Sequence, residues 1–495
     1  MKTVQNQIRK PEYWLYLFIT IHVVIWTLAP FLIRYTLPMD SIEGAIWGHQ
    51  LELGYDKNPF LNGWLTALAV KLGGHSGWGI YFFSQLSVAI CFWAVWKLGK
   101  KMMPPVYALI GVLLLEALQY YNLHAIDFND NTLELSLWAL TTLFFYNSLR
   151  QSSLKNWLLT GLFAGLSMMT KYYSIVLLLP MLAFLIFNPS NRKYFSKSEL
   201  YLGLLAFLII ILPHSIWLFF HDFITVKYAF ARVSSPPTWQ SHFHFPVLFA
   251  WQQMEVLLPC LFLFAVLFLG EKPITEHPRF QIKSFDKQFL FYVGCGPFIL
   301  TLLLSAFVGM RLRAGWGEPL MSLWGLILIV WLQPRITVDR FYRFIAVLFT
   351  FLAILVTSYC IALIKAPEPS SANFPGKNIA ITLTDEWHNN YHAPLKYVAG
   401  PRWLAGNIAF YSSDHPAVYI NWDTNISPWI DEEKLKKEGA IFVWDPTEDI
   451  QRKPEEIISR FTKLGKVKIM HFTWMRNIDM TPVEINVAFL APETR

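Results

Sequence analysis

Long apolar segments recur through the first 364 residues of this chain, and most are close to the length that crosses a bilayer. A transmembrane helix needs roughly 20 apolar residues, and residues 13–33 already form such a run. The pattern predicts about eleven helices, near residues 13–33, 78–98, 105–123, 132–149, 157–170, 172–187, 200–220, 247–269, 288–309, 317–333 and 342–364. We therefore expect a mainly α-helical, polytopic transmembrane bundle.

The composition and charge agree with a membrane protein. Of the 495 residues, 54% are apolar and only 15% are charged, against roughly 25% charged in soluble domains. The net charge of +7 comes from short basic clusters between apolar runs, which indicates membrane topology and lipid headgroups as partners, and not nucleic acid. Lys and Arg are more frequent on one set of loops, and this predicts a cytoplasmic N-terminus and an external C-terminus.

The composition changes near Lys365. The stretch PEPSSANFPG is typical of a linker, and the residues after it contain no run long enough to span a membrane. Short β-rich runs such as AVYI and AIFVW alternate with helix-like DEEKLKKEG. We predict two domains, a transmembrane catalytic domain at 1–364 and a soluble external α/β domain at 365–495.

Two carboxylates and a lysine follow the first apolar run. Asp40 precedes and Glu43 lies within the segment IEGAIWGHQLEL, whose periodicity predicts an amphipathic helix on the membrane surface. Asp40 lies near the start of that helix, so the spacing is equally consistent with a structural N-cap. The next stretch, GYDKNPFLNGW, predicts a turn that carries Lys57.

Further polar residues are predicted on the same external face. The connection NLHAIDFNDNTLEL carries His124, Asp127, Asp130 and Asn131, and Lys171 lies at the external tip of a hairpin. A lysine between apolar segments is costly unless it meets an anion or water, or extends its side chain to the surface.

The loop MRLRAGWGEP, which is predicted to be external, carries two arginines, although Lys and Arg are less frequent on the external loops. Arg311 and Arg313 are candidates for binding a phosphate. The alternative is a structural ion pair with Asp127, Asp130 or Glu318.

Carboxylates and cations at one rim of a helix bundle suit the transfer of a group from a lipid phosphate. The sequence contains no P-loop, dinucleotide-binding, HExxH zinc or GxSxG element. Its four cysteines lack metal-ligand spacing. No DxD pattern supports a divalent metal, although the positions of Asp40 and Glu43 are compatible with one.

The order of these motifs resembles the bacterial GT-C class of glycosyltransferases, in particular the family 39-type branch that uses polyprenyl-phosphate sugars. That branch is related to protein O-mannosyltransferases and to the lipid A aminoarabinose transferase. The resemblance covers nearly the whole chain and is carried by MDSIEGAIWG, GYDKNPFLNGWL, FNDNTLELSLWAL, TKYYS, RLRAGWGEPL and AGNIAFYSSDHPAVYI. Asn58-Pro59-Phe60 departs from the double proline common in the family's turn.

The resemblance implies a role for each candidate residue. Asp40 is then the catalytic carboxylate, with Glu43 beside it in the same motif. The remaining candidates are substrate-binding residues, with the lysines and arginines directed at the donor phosphate: Lys57, Tyr55, Asp130, Lys171, Tyr172, Arg311 and Arg313.

The implied reaction is transfer of a sugar, with inversion, from an undecaprenyl-phosphate donor to lipid A or another envelope acceptor. The active site would face the periplasm from the bacterial inner membrane. Two alternatives are a protein O-glycosyltransferase and a lipid or solute transporter. Transporters commonly contain internal repeats, and we find none here. A simple membrane anchor would need only one helix.

Overall fold

The computed structural model describes residues 10–151, 153–233, 238–269, 280–365, 368–446, 457, 459–476 and 479–493. The α-helices up to residue 364 are α1 Pro11–Ile33, α2 Met39–Gln50, α3 Leu61–Gly73, α4 Trp78–Met102, α5 Pro105–Leu113, α6 Asp130–Gln151, α7 Leu154–Met168, α8 Ile175–Phe187, α9 Ser198–Phe220, α10 Ile224–Val233, α11 Ser241–Ala265, α12 Ser284–Phe289, α13 Gly296–Val308, α14 Trp324–Leu332 and α15 Val338–Ile364. The C-terminal part contains α16 Gly376–Tyr391, β1 Tyr397–Gly400, α17 Arg402–Tyr411, β2 Ala417–Ile420, α18 Glu432–Glu438, β3 Ala440–Trp444, β4 Lys468–Phe472 and β5 Val483–Leu490.

The chain is a multi-pass membrane protein, and the predicted apolar segments are mainly helical, although 105–123 and 317–333 are each broken into shorter helices. The described residues contain six helices long and apolar enough to cross a membrane: Pro11–Ile33, Trp78–Met102, Ser198–Phe220, Ser241–Phe268, Ser284–Val308 and Val338–Ile364. Two bent helix pairs raise this number to eight if each pair is one span, namely Pro105–Ala117 with Gln119–Ile126, and Ala314–Met321 with Trp324–Leu332.

The predicted count of eleven spans is therefore not supported by length and composition. The helices α7 and α8 contain only 15 and 13 residues. The longer α6 buries polar side chains such as Glu134 and Thr141 inside the bundle, which lowers its apolar character. Length and composition therefore do not mark these three helices as spans, although α7 and α8 expose large apolar side chains such as Leu158, Leu179 and Phe187.

The two helices between the first and second spans pack closely against each other. A Cβ added at Gly48 in α2 would lie 2.6 Å from the carbonyl oxygen of Gly63 in α3. Only a residue without a side chain permits this approach. The predicted helix after Asp40 is thus confirmed, and α2 buries Ile42, Ile46 and Trp47 on one face.

The C-terminal part contains the predicted small α/β fold. Its mixed five-stranded sheet has the order β2-β1-β3-β5-β4. The strands β1, β2 and β3 are parallel, while β5 pairs antiparallel with both β3 and β4. The helix α17 follows β1 and packs against α2.

One hydrophobic cluster joins the C-terminal part to the helical part. It contains Trp26 of α1, Ile42 and Ile46 of α2, Ile408 of α17 and Val418 of β2. The core is therefore continuous across residue 365, the boundary expected between the two domains.

The described part of the expected linker also packs against the bundle. The backbone N–H of Tyr35 donates to the carbonyl of Ala372 at 2.8 Å. The hydroxyl of Thr36 donates to the carbonyl of Ser371 at 2.5 Å, and Phe374 is buried. The preceding residues 366–367 lie outside the described part of the chain.

We predict that Gly48→Ala destabilises the protein by about 1–3 kcal/mol, since the added methyl group forces α2 away from α3. The measurement is the thermal unfolding midpoint of the purified protein in detergent. As a control, Leu72→Ala on the exposed face of α3 should change the free energy of unfolding by less than about 0.5 kcal/mol. Equal effects of the two variants would contradict close packing at Gly48.

Candidate active site

A polar cavity of about 370 Å³ lies where the first loop, the segment after residue 123 and the loop before α14 meet. It brings together six of the predicted residues, from four separate stretches of sequence: Asp40, Glu43, Lys57, Asp130, Lys171 and Arg313. Its other lining residues include Asn58, Asn129, Asn131, Tyr228, Arg232, Trp316 and Glu318.

Asp40 presents its carboxylate to this cavity. The side chain is exposed, and its Oδ2 accepts a hydrogen bond from the Asn129 amide at 3.2 Å. Within the described residues no cation forms an ion pair with it. The Asp40 carboxylate is therefore open to the cavity, and Asn129 holds it in one orientation.

The N-cap role considered for Asp40 is performed by Asp127, which reaches α2 from another segment. Asp127 Oδ1 accepts from the backbone N–H and the hydroxyl of Ser41, each at 2.8 Å, and Oδ2 accepts from the backbone N–H of Asp40 at 3.3 Å. Burial, together with the neighbouring Asp40, raises the pKa of Asp127 to about 7. Asp127 thus sets the position of the helix that carries Asp40.

Glu43 is held between two cations. Its Oε1 lies 2.6 Å from Lys57 Nζ and 2.6 Å from Arg402 Nη1. Arg402 also pairs with Asp56, with 2.5 Å between Nη2 and Oδ2, and Asp56 accepts from the Trp47 indole at 3.2 Å. Burial raises the pKa of Glu43, although Arg402 and Lys57 act in the opposite direction. The geometry thus favours charge pairing as the role of Glu43, and the ammonium of Lys57 is shared with it.

Three other cations line the cavity without a carboxylate partner among the described residues. The Lys171 ammonium donates to the Asn131 amide oxygen and lies 5.4 Å from the centre of the Trp316 ring. Arg232 lies over Tyr228 at 5.8 Å. Arg313 is exposed. The three charges, Lys171, Arg232 and Arg313, are therefore available to an anion.

The remaining carboxylates of the cavity have uncharged or histidine partners. Asp130 accepts from the Asn58 amide, and Glu318 lies 3.1 Å from His124 Nδ1. The structural ion pair considered for the arginines, with Glu318 as partner, is not present in the described residues. No group of three or more His, Cys, Asp or Glu is arranged to hold a metal ion in that part of the chain.

Three predicted residues do not line the cavity in the described structure. Tyr55 is fully buried and stacks on Trp47 with 5.1 Å between ring centres. The Tyr172 hydroxyl hydrogen-bonds His214 at 2.5 Å and Thr225 at 2.6 Å. Arg311 is exposed on the same loop as Arg313 but outside the lining.

The sequence reasoning missed Arg402, Arg232 and Tyr228. Arg402 lies 346 residues after its partner Asp56, so no local pattern connects them. Arg232 is a further cation in a segment predicted to be external, against the charge bias, and this signal could have identified it. Tyr228 precedes it by one helical turn in α10, which places both side chains on one face.

Comparisons with known proteins confirm the resemblance to the GT-C class of glycosyltransferases. The family model described as dolichyl-phosphate-mannose-protein mannosyltransferase matches residues 57–217. This match includes Lys57, Asp130 and Lys171 of the cavity.

Particular relatives lie within the same class. The chain is 25% identical over 204 residues to the undecaprenyl phosphate-alpha-4-amino-4-deoxy-L-arabinose arabinosyl transferase of Pectobacterium atrosepticum, covering 39% of this chain and 35% of that protein. It is 23% identical over 213 residues to the lipopolysaccharide core galacturonosyltransferase RgtB of Rhizobium johnstonii, covering 42% and 43%. The chain thus matches less than half the length of each curated relative.

The likeness in fold extends much further than the likeness in sequence. The crystal structure of ArnT from Cupriavidus metallidurans bound to undecaprenyl phosphate superimposes with a TM-score of 0.61. That alignment covers 97% of this chain and 99% of ArnT at 14% sequence identity. The helical bundle and the C-terminal sheet are therefore parts of one shared architecture.

We predict that Arg402→Ala destabilises the protein by on the order of 3 kcal/mol, because it leaves the buried carboxylates of Glu43 and Asp56 with one cation between them. The midpoint of thermal unfolding in detergent measures this loss. Adding Glu43→Gln to Arg402→Ala should restore part of the stability, since the neutral amide removes one uncompensated charge. A double variant no more stable than Arg402→Ala would argue against the ion-pair explanation.

Proposed function

We propose that this chain is an integral-membrane glycosyltransferase that moves a sugar from a polyprenyl-phosphate donor to a cell-envelope acceptor. The observation that carries the proposal is the cavity itself. It places the unpaired carboxylate of Asp40 in the same space as three cations without carboxylate partners. This combination provides a base for a hydroxyl and a binding site for a phosphate.

The cations are assigned to the phosphate of the donor. When the bond between the sugar C1 and the phosphate oxygen breaks, the polyprenyl phosphate gains negative charge. Lys171, Arg232 and Arg313 stabilise that charge more strongly in the transition state than in the ground state, so they contribute to the rate as well as to binding. Lys57 adds to this field, with part of its charge balanced by Glu43.

Asp40 is assigned to the acceptor. The acceptor oxygen forms a new bond to C1 while its proton passes to the Asp40 carboxylate, and polyprenyl phosphate leaves from the opposite face of the sugar. A single displacement of this kind inverts the configuration at C1. Asn129 holds the carboxylate in the required orientation.

The relatives support the choice of substrates. ArnT of Cupriavidus metallidurans was crystallised with undecaprenyl phosphate, and the two curated relatives are named for an undecaprenyl-phosphate-linked aminoarabinose donor and for a lipopolysaccharide core acceptor. We propose an undecaprenyl-phosphate sugar as donor and lipid A or a related envelope glycolipid as acceptor. The cavity would then open to the periplasm from the inner membrane.

A protein acceptor is the second candidate. The family model that matches residues 57–217 is described as a protein mannosyltransferase. A serine or threonine hydroxyl would use the same base and the same leaving group. The test is an assay of polyprenyl phosphate released from a labelled lipid-linked sugar, with mass spectrometry of the product to name the acceptor.

We predict that Asp40→Asn lowers turnover by about 10²–10⁴-fold without altering the unfolding midpoint, since the amide keeps the shape of the side chain but accepts no proton. Release of polyprenyl phosphate by purified protein gives the rate. Glu52→Gln is the matched control, because Glu52 lies outside the cavity lining and its neutralisation should leave the rate unchanged. Turnover by Asp40→Asn at the wild-type rate would remove Asp40 as the base.

We predict that Arg313→Ala lowers kcat/KM for the donor by roughly 10²-fold, since a fixed cation near the leaving phosphate is lost. The control is Arg311→Ala. Both arginines are exposed on the same loop, yet only Arg313 lines the cavity. Steady-state kinetics with a polyprenyl-phosphate sugar should therefore separate the two variants. Equal losses would indicate that the loop attracts the donor only through its overall charge.

A further inference from the structure

A second cavity, of about 500 Å³, lies beside the candidate active site and is larger than it. Its polar lining consists of Gln119, Asn122, Gln252 and Glu255, and its apolar lining includes Phe351 and Leu355 of α15. The volume falls in the range of pockets that bind small molecules, roughly 300–1,000 Å³.

Glu255 is unusual for its position in a span. It lies near the middle of Ser241–Phe268, a helix long and apolar enough to cross a membrane. Its sequence neighbours Met254 and Leu258 have large exposed surfaces, as lipid-facing residues do. An ionisable side chain at such a position faces a water-filled cavity or a functional partner, because lipid alone cannot solvate it.

The polar groups of this cavity retain unused hydrogen-bonding capacity. Glu255 Oε1 accepts from the Trp251 indole at 2.7 Å, whereas Oε2 has no partner in the described structure. The side-chain amides of Gln119 and Gln252 likewise make no hydrogen bond there. Asn122 differs, since its amide donates to the carbonyl oxygens of Glu116 and Leu118. Two amides and one carboxylate oxygen are therefore available to a ligand.

The polar and apolar groups that line this cavity indicate which class of ligand it can bind. No Lys, Arg or His lines this cavity in the described residues, in contrast to the cationic active site, so a phosphate has no counter-charge here. Amides both donate and accept, as sugar hydroxyls do, whereas an ammonium group only donates. The side chains of Phe351 and Leu355 provide an apolar surface for the C–H face of a sugar ring. A neutral, polyhydroxylated group satisfies all of these features.

The two cavities are separated by a wall formed by two segments of the chain, residues 123–124 and residues 314–315. Leu123 and Ala314 face the second cavity, and the next residues, His124 and Gly315, face the active site. The wall is fixed by hydrogen bonds to the Ala314 carbonyl from the Tyr120 hydroxyl at 2.8 Å and from the Gln253 amide at 3.1 Å. The linings of the two cavities are thus adjacent along both segments.

We infer that the second cavity binds the neutral saccharide portion of a lipid-borne acceptor, which enters sideways from the bilayer between α11 and α15. This inference rests on the proposed glycosyl transfer and adds the acceptor class. The recognised group is a lipid-linked sugar, and a serine or threonine of a protein is not expected to use this site.

The test uses the full chain in an amphipathic polymer free of sugar detergents, with octyl β-glucoside as the probe below its micellar concentration. Binding is followed by the intrinsic tryptophan fluorescence of the protein. Glu255→Gln and Gln252→Leu should each weaken binding by about tenfold, the value expected for a hydrogen bond to a charged or otherwise unpaired group. Met254→Leu, on the lipid-facing side of the same helix, should bind as the wild type does.

Two further probes make the outcome decisive. Octyl phosphate should bind without dependence on Glu255, and octylamine should bind more weakly than the glucoside. Octyl β-glucoside binding that is equal in wild type, Glu255→Gln and Gln252→Leu, or stronger binding of octylamine than of the glucoside, would overturn the inference.

Failure of the proposed function is detected separately. Farnesyl phosphate, a short polyprenyl phosphate, should lose affinity in Lys171→Ala and retain it in Glu255→Gln. If Lys171→Ala binds farnesyl phosphate normally, the assignment of the donor site is wrong. If only the glucoside results fail, the donor site stands and the acceptor inference falls.

Discussion

The guanidinium of Arg402 lies between the carboxylates of Glu43 and Asp56, and the remaining geometry of the site depends on this contact. Arg402 comes from the C-terminal part, and both carboxylates come from the first loop. With Lys57 the group contains two positive and two negative charges, so it is neutral as a set. A buried set of charges is tolerated only when it is balanced in this way. It therefore joins α17 of the C-terminal part to the first loop and leaves Glu43 paired with two cations.

The balance of these four charges also determines which charged groups of the cavity have no ion-pair partner in the described residues. Because Glu43 and Asp56 are matched by Lys57 and Arg402, Asp40 retains an uncompensated negative charge in the cavity. Lys171 and Arg232 form no ion pair in the described residues, and their direct contacts are the Asn131 amide and the aromatic rings of Trp316 and Tyr228. Aromatic and amide contacts hold a cation in place without neutralising it. The site thus contains one group of charges that are paired with each other and another group without ion-pair partners in the described residues, which the proposed function assigns to the substrates.

The fold was predictable from the sequence to the extent that a bilayer constrains it. Every apolar segment was located, because lipid requires both helical backbone and apolar side chains. The number of spans was not predictable, because α7 and α8 are shorter than a helix that crosses a bilayer and α6 carries buried polar side chains, so apolar runs alone do not separate spans from other helices. In the site, the local motifs identified Asp40, Lys171 and Arg313. The sequence could not distinguish Arg313 from Arg311. Both lie in the same loop, and only the conformation of that loop places Arg313 in the cavity lining. Nor could it reveal Arg402, whose partner lies 346 residues away.

The second cavity accounts for the polar residues Gln252 and Glu255 on α11, a helix that also faces lipid. Under the proposed function, a donor with a charged phosphate and an acceptor with a neutral sugar need different environments, and a single pocket lined by cations would favour the phosphate over the sugar. The segment at Ala314 and Gly315 lies between the two linings. The hydrogen bonds from Tyr120 and Gln253 to the Ala314 carbonyl hold that segment in place, and under the proposed function they would set the distance between the two sites.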